Sequence, residues 1–108
     1  MQDRFLLKNL KTFNLEKGNL FKGLSINDEN FHGFGEIYFT SIMPKLIKGW
    51  KRHLKMTLNI IVLTGKVKFV IINKFDKNKI DFTSIELSEK NKKILTIFPN
   101  SWFAFKGL

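Results

Sequence analysis

The chain contains no cysteine among its 108 residues. A disulfide framework and a thiolate nucleophile are therefore both excluded. The absence of cysteine fits a reducing compartment, so we expect a cytoplasmic protein. Proline is scarce as well, with Pro44 and Pro99 alone, and no Pro/Ser-rich linker or internal repeat divides the chain. We expect one domain that spans residues 1–108.

Long apolar runs are also missing. No segment approaches the roughly 18–20 continuous apolar residues that a bilayer-spanning helix needs. The N-terminal stretch MQDRFLLKNLKTF is interrupted by acidic and polar residues, which is not the pattern of a signal peptide. From this pattern we expect a soluble, unsecreted protein with no membrane partner.

Side chains that bind metals are few. The two histidines are His32 and His53, and the nine acids are scattered, so no pair of ligands stands at the close spacing of a zinc or iron site. The chain also lacks a G-x-S-x-G nucleophile motif, a Walker A loop and a G-x-G-x-x-G loop. We therefore expect neither a protein-bound metal nor a cofactor.

Basic residues, by contrast, are abundant, and they give the chain a formal net charge of +10. All of the nineteen except Arg4 and Arg52 are lysines. Such a surface favours anionic partners, which include nucleic acids, acidic membranes and phosphorylated small molecules. The charge does not choose among these partners, because lysines spread along a chain also serve solubility.

Short alternating segments between turn residues predict strands. Leu58–Leu63 is apolar and β-branched, Thr64-Gly65 is a turn and Lys66–Val70 alternates, which together predict a hairpin. Three further strands are predicted at Gly35–Ile42, Asp81–Ser88 and Lys93–Phe98. A helical period of 3.6 residues occurs only within the first dozen residues. Short strands at close spacing predict an all-β sandwich or barrel.

The stretch KLIKGWKRHLK concentrates positive charge around a histidine. If the segment is extended, Lys51 and His53 share one face. Trp50 and Arg52 then share the other. Like-charge repulsion from Lys51 favours the neutral form of His53, which can remove a proton next to a carbonyl group. Lys48 and Arg52 can hold phosphate oxygens. The alternative is a solvated strand end that carries an ordinary surface histidine.

Resemblance to a known family is carried by two segments. The first is GEIYFTSIMPKLIKGWKRHLKMTLNIIVLTGKVKFVII, and the second is LTIFPNSWFAFKGL at the end of the chain. Together they are similar to the nucleotide-sugar cupins, namely the dTDP-4-dehydrorhamnose 3,5-epimerases and the dTDP-4-keto-6-deoxyhexose 3,4-ketoisomerases. The resemblance implies a cupin-type jelly roll (a double-stranded β-helix), here C-terminally short relative to the family. Members remove a proton next to the ketone of a 4-keto sugar carried on a nucleoside diphosphate and return it elsewhere, without a metal.

The resemblance also implies roles for eight residues. His53 matches the ketoisomerase histidine and is the expected general base. Lys51 stands where the epimerases carry their catalytic histidine, and Lys48 stands where they carry an arginine. Tyr38, the one tyrosine of the chain, is the candidate catalytic acid. The other expected substrate contacts are Arg52 at the diphosphate, Asn59 in the pattern GW-K-RH-K-MT-LN, and Trp102 and Phe103 at the base or sugar.

Three functions remain open from the sequence. The first is an epimerase or isomerase of a dTDP-linked or similar keto-deoxysugar. The second is a jelly roll that binds a sugar nucleotide, or acts as a scaffold, without catalysis. The third is a nucleic-acid-binding β-barrel, whose affinity would fall steeply with salt. A jelly roll this short leaves strand edges unpaired, so we expect a homodimer that covers them.

Overall fold

The structure, a computed structural model, describes residues 4–108, and these residues form nine β-strands and no helix. In chain order the strands are β1 (Phe5–Asn9), β2 (Lys11–Phe13), β3 (Leu20–Lys22), β4 (Ile47–Lys51), β5 (Leu58–Ile61), β6 (Lys66–Asp76), β7 (Lys79–Ser88), β8 (Lys93–Ile97) and β9 (Phe103–Gly107). The predicted all-β class is confirmed. Over the same range, no helix is present that could span a bilayer.

Seven of these strands form two sheets that enclose the core. One sheet has the order β1-β8-β5 and the other β4-β9-β6-β7, while β2 and β3 form a separate ribbon. The strand pairings within each sheet are antiparallel. The buried side chains that meet between the two sheets are Phe69, Ile71, Ile85, Leu87, Leu95, Ile97 and Phe103. The core is therefore built mainly from β6, β7, β8 and β9.

Alternation of side chains explains why these segments become strands. In β7, Ile85 and Leu87 are buried while Glu86 between them is exposed, as a strand with one face on the core requires. In β8, Leu95 and Ile97 enter the same core. The strands predicted at Asp81–Ser88 and Lys93–Phe98 are confirmed as β7 and β8.

The predicted hairpin between Leu58–Leu63 and Lys66–Val70 is wrong. β5 pairs with β8 in one sheet, whereas β6 pairs with β7 and β9 in the other. Gly65 does form a turn with a positive φ of 77°, but the turn carries the chain from one sheet to the other. A turn signal in the sequence does not show whether the two flanking strands pair with each other or belong to different sheets. Here β6 forms its long antiparallel pairing with the following strand, β7.

Two further expectations differ from the structure. A helical period was expected within the first dozen residues, of which residues 1–3 lie outside the described range; residues 5–9 form β1 and residues 11–12 belong to β2, because β1 finds a partner in β8. The strand predicted at Gly35–Ile42 is not formed. Its residues are suited to a strand, but within residues 4–108 no other segment pairs with it. A strand needs a hydrogen-bonded neighbour as well as a suitable sequence.

Candidate functional site

A β-bulge in β4 sets the position of the basic cluster. Lys48 lies opposite Phe105 and Lys51 opposite Phe103, so Gly49 and Trp50 together face one residue of β9. A Cβ atom on Gly49 would lie 2.6 Å from the Cβ of Ala104, and Gly49 has a φ of 138°. Glycine is therefore required at this position. The extra residue brings Lys51 onto the face of β9 that carries the core aromatic side chains.

Lys51 and His53 lie over two phenylalanine rings of β9. The Lys51 Nζ atom is 5.7 Å from the centre of the Phe105 ring. The His53 imidazole lies 6.1 Å from the ring of Phe103, with 37° between the ring planes. Phe103 belongs to the buried core. The imidazole therefore lies next to the core. Lys51 and His53 share one face of the chain, as the sequence predicted.

An open cavity of about 560 Å³ lies beside Lys51 and His53, and Trp50 and Arg52, which were expected on the opposite face, line it as well. Its lining residues are Trp50, Lys51, Arg52, His53, Leu54 and Trp102. The guanidinium carbon of Arg52 lies 4.8 Å from the centre of the Trp102 ring, a cation–π contact that holds the charge against the cavity wall. The volume falls within the range of small-molecule sites. Four of the residues expected to act here, Lys51, Arg52, His53 and Trp102, are therefore brought together.

The turn between β8 and β9 fixes the backbone of His53. The backbone N–H of Asn100 donates to the carbonyl oxygen of His53 at 2.7 Å. Asn100 has a φ of 68°, a conformation that asparagine tolerates better than most residues. Next to it, the Ser101 hydroxyl donates to the carbonyl of Arg4 at 3.1 Å. Asn100 was not predicted from the sequence to belong to the site, although the Pro99-Asn100 pair is a turn signal.

Two expected site residues lie elsewhere. The ammonium group of Lys48 donates to the carbonyl oxygen of Ser41 at 2.7 Å and to the Thr40 hydroxyl at 3.3 Å. Tyr38 is 60% exposed in the segment just before these residues. Neither Lys48 nor Tyr38 lines the cavity. In the single chain, Tyr38, the expected acid, and Lys48, an expected phosphate contact, therefore do not lie in the cavity with His53.

Asn59 belongs to a hydrogen-bonded group beside the β1-β8-β5 sheet. Its Oδ1 accepts from the Thr96 hydroxyl at 2.6 Å, and its Nδ2 donates to the carbonyl of Asn30 at 3.0 Å. The Asn30 amide donates in turn to the Thr96 hydroxyl at 3.2 Å. Asn30 and Thr96 are fully buried, and Asn59 does not line the cavity. This arrangement gives Asn59 a role in holding the 23–31 segment against the sheet.

We expect Asn59→Ala to lower the free energy of unfolding by about 1–3 kcal/mol, because it leaves buried polar groups of Asn30 and Thr96 unpaired. The affinity for a nucleoside diphosphate should stay unchanged. Urea unfolding and calorimetric titration with TDP measure the two quantities, and Asn14→Ala, at an exposed position, is the matched control. Weaker TDP binding at unchanged stability would instead make Asn59 a ligand contact.

Metal-binding side chains do not converge in the described part of the chain. No three His, Cys, Asp or Glu residues between 4 and 108 are grouped so that they could hold a metal ion. The positive charge of the cavity comes instead from Lys51 and Arg52. In the same range, neither of these residues forms an ion pair with a carboxylate.

Comparison with protein-family models and with curated proteins gives no match, whereas several solved structures are similar. A dTDP-sugar isomerase from Desulfovibrio desulfuricans G20 has a TM-score of 0.82 and 29% sequence identity, over 95% of this chain and 68% of that chain. The 3,4-ketoisomerase QdtA from Thermoanaerobacterium thermosaccharolyticum, solved in complex with TDP, has a TM-score of 0.76 and 22% identity, over 99% and 74%.

A more distant similarity extends to the epimerases. The dTDP-4-dehydrorhamnose 3,5-epimerase from Elizabethkingia anophelis NUHP1 has a TM-score of 0.62 and 15% identity, over 96% of this chain and 62% of that chain. The similar structures thus include isomerases and an epimerase of dTDP-linked sugars. They confirm the fold class and the resemblance that the sequence predicted.

Proposed function

We propose that this chain, which shares the fold of the nucleotide-sugar cupins, isomerises or epimerises a nucleotide-activated 4-keto-6-deoxysugar by metal-independent proton abstraction next to the ketone. The observation that carries the proposal is the cavity in which one imidazole, that of His53, lies with the cations Lys51 and Arg52 and the indoles of Trp50 and Trp102. A variant of QdtA, in which asparagine replaces a histidine, was solved in complex with TDP-4-keto-6-deoxyglucose. That complex supports a keto-sugar substrate for this fold.

In the proposed reaction His53 is the base. A neutral imidazole nitrogen takes the proton from the carbon next to the ketone, and the electron pair of that C–H bond forms an enolate. The ammonium group of Lys51, which lines the same cavity, is the candidate to stabilise the negative oxygen of the enolate. Return of the proton to the other face of the same carbon gives an epimer. Moving the ketone needs a second proton transfer: the hydroxyl on the deprotonated carbon gives its proton to the enolate oxygen, the former carbonyl carbon takes up the abstracted proton, and the ketone then lies on the neighbouring carbon. Neither route consumes a second reactant.

The rest of the cavity suits a nucleoside diphosphate. Arg52 lacks a carboxylate partner among residues 4–108, so its planar guanidinium is available for bidentate contact with phosphate oxygens. Trp102 lies against Arg52 at 4.8 Å, and Trp50 is about half exposed at the cavity wall. An exposed indole such as that of Trp50 can stack on a nucleobase or on a sugar ring.

Hydrogen exchange tests the proposal directly. The protein is incubated in deuterated water with dTDP-4-keto-6-deoxyglucose, and the sugar C–H signals are followed by NMR. We expect deuterium to replace the proton next to the ketone, and the product then separates an epimerase from a ketoisomerase. A titration with TDP in parallel measures binding without chemistry.

The other outcomes overturn all or part of the proposal. TDP binding without any exchange would show a sugar-nucleotide-binding jelly roll that lacks catalysis, an alternative supported by the observation that Tyr38 does not line the cavity. Neither exchange nor binding would make the basic cluster a solvated strand end. Binding of an RNA or DNA oligonucleotide that weakens steeply with salt, in place of TDP binding, would favour the nucleic-acid alternative.

A further inference from the structure

A second cavity, of about 380 Å³, lies between the β1-β8-β5 sheet and the segment that follows β3. Because side chains alternate along β8, Ile94 faces away from the core that Leu95 enters. Ile94 is nevertheless buried, and it lines the cavity together with residues 8–11 and parts of the segment 23–30. The volume falls within the range of small-molecule sites. No residue lines both this cavity and the one beside His53.

One buried polar atom of this cavity lacks a hydrogen-bond partner. Asn30 is 1% exposed and lines the cavity. Its Nδ2 donates to the Thr96 hydroxyl at 3.2 Å and to the Oδ1 of Asn59 at 3.3 Å, so the amide nitrogen faces the sheet and the Asn30 Oδ1 points away from these two partners. Among residues 4–108, no group donates to that oxygen. An unpaired buried acceptor destabilises the fold, and a hydroxyl group of a bound molecule would supply the missing donor.

Two lysines of the same cavity carry charges that no carboxylate neutralises. Lys11 and Lys22 line the cavity and lie directly opposite each other in the β2-β3 ribbon. Like charges at opposed positions of an antiparallel pair repel each other. Within residues 4–108 neither lysine forms an ion pair, whereas Lys8, the third lysine of the cavity, is paired with Glu29 at 3.7 Å. An anionic group bound by Lys11 and Lys22 would relieve their repulsion.

The other polar residues of the cavity suit hydroxyl groups better than a nucleobase. Asn9, Asn27 and Asp28 supply amide and carboxylate groups. The turn that carries Asp28 is held by its own bonds, since the Asp28 Oδ2 accepts from the Ser25 N–H at 2.8 Å and the Asp28 N–H donates to the Ser25 carbonyl at 2.9 Å. Among the described residues, no aromatic ring lines this cavity. A base would therefore find no ring to stack on, whereas a sugar can be bound through its hydroxyl groups.

We propose that this cavity binds a sugar phosphate, with the phosphate group at Lys11 and Lys22 and a sugar hydroxyl donating to the Oδ1 of Asn30. Both features line one cavity that is large enough for such a molecule. A free sugar leaves the two ammonium groups without a counter-charge, and inorganic phosphate lacks the hydroxyl groups that match the amides. The site is separate from the cavity that contains His53, so this inference does not depend on the proposed function.

Calorimetric titration tests the ligand class. We expect glucose 6-phosphate to bind at least about tenfold more tightly than inorganic phosphate or glucose, because only the sugar phosphate engages both ends of the cavity. Lys11→Ala with Lys22→Ala should weaken its binding by about tenfold or more. Lys68→Ala with Lys106→Ala is the matched control, since these lysines are also exposed and directly opposed, on β6 and β9, but line neither cavity. The control should bind glucose 6-phosphate as the wild type does.

NMR of the protein labelled with nitrogen-15 tests the position of the sugar. Glucose 6-phosphate should shift the side-chain amide signals of Asn30 and the backbone N–H signals of residues 23–30, and should leave the indole signals of Trp50 and Trp102 unchanged. Inorganic phosphate should leave the Asn30 signals in place. Absence of saturable binding, equal affinities for glucose 6-phosphate and inorganic phosphate, equal losses in the two lysine variants, or shifts confined to the indoles would each overturn the proposal.

Discussion

Replacement of His53 by alanine is expected to lower the rate of deuterium exchange next to the ketone by about 10²–10⁴-fold, the usual contribution of a general acid or base. The imidazole lies beside Phe103 at the cavity wall, and alanine removes its proton-accepting nitrogen. Arg52 remains in place to hold the diphosphate. The affinity for TDP should therefore stay close to that of the wild type, while exchange followed by NMR is lost.

The second histidine gives the matched control. His32 is exposed, lies edge-on to Phe98 at 5.8 Å, and does not line the cavity. His32→Ala should exchange at the wild-type rate. Exchange that persists in His53→Ala would exclude His53 as the base. An equal loss in both variants would mean that the effect arises from the fold rather than from a proton acceptor in the cavity.

Side-chain alternation predicted two of the strands that pack against the core, β7 and β8, but not β9. The alternate residues Ile85 and Leu87 near the end of β7 enter the core, as do Leu95 and Ile97 of β8. This period of two is a local property, and it is visible in the sequence. The pairing of strands is not local. The apolar run before Gly65 and the alternating run after it are adjacent in the chain, yet they belong to different sheets.

The segment 35–42 shows a second limit of local prediction. Its residues favour a strand, but a strand forms only where another backbone accepts its hydrogen bonds. The single chain does not supply that backbone within the described residues. The strand predicted there is therefore wrong for the single chain, because strand pairing depends on the tertiary structure and not on the local sequence.

The candidate site was predicted in part. The spacing of Lys51 and His53 places both on the face of β9 that carries Phe103 and Phe105, because extended backbone alternates. The contacts that fix this face come from remote parts of the chain. Asn100 binds the His53 carbonyl from another turn, and no local pattern around residue 53 indicates it. In the same way, the bonds of Asn59 to Asn30 and Thr96 depend on how the 23–31 segment folds back on the sheet.

Gly49→Ala is expected to cause the largest loss of stability, about 2–6 kcal/mol in the free energy of unfolding. Two costs combine: a β-carbon at a φ of 138° is strained by about 1–3 kcal/mol, and overpacking costs about 1–3 kcal/mol. The new carbon would lie 2.6 Å from the Cβ and 2.8 Å from the Cα of Ala104. Because one of these atoms is backbone, a side-chain rotation cannot relieve the contact, and β4 has to move away from β9.

Gly18→Ala separates the two costs in Gly49→Ala. Gly18 has a nearly equal φ of 140°, but a Cβ atom there would meet nothing within 4 Å. Urea unfolding of Gly18→Ala should therefore report the backbone strain alone, and its difference from Gly49→Ala should report the contact with Ala104. A further change, Ala104→Gly, should restore part of the stability of Gly49→Ala and little of that of Gly18→Ala.

Since displacement of β4 also moves Lys51 off Phe105, Gly49→Ala should lose deuterium exchange even where it stays folded. Equal losses of stability for the two glycine variants would mean that the bulge in β4 accommodates a side chain, and that the site does not depend on the close approach of β4 to β9.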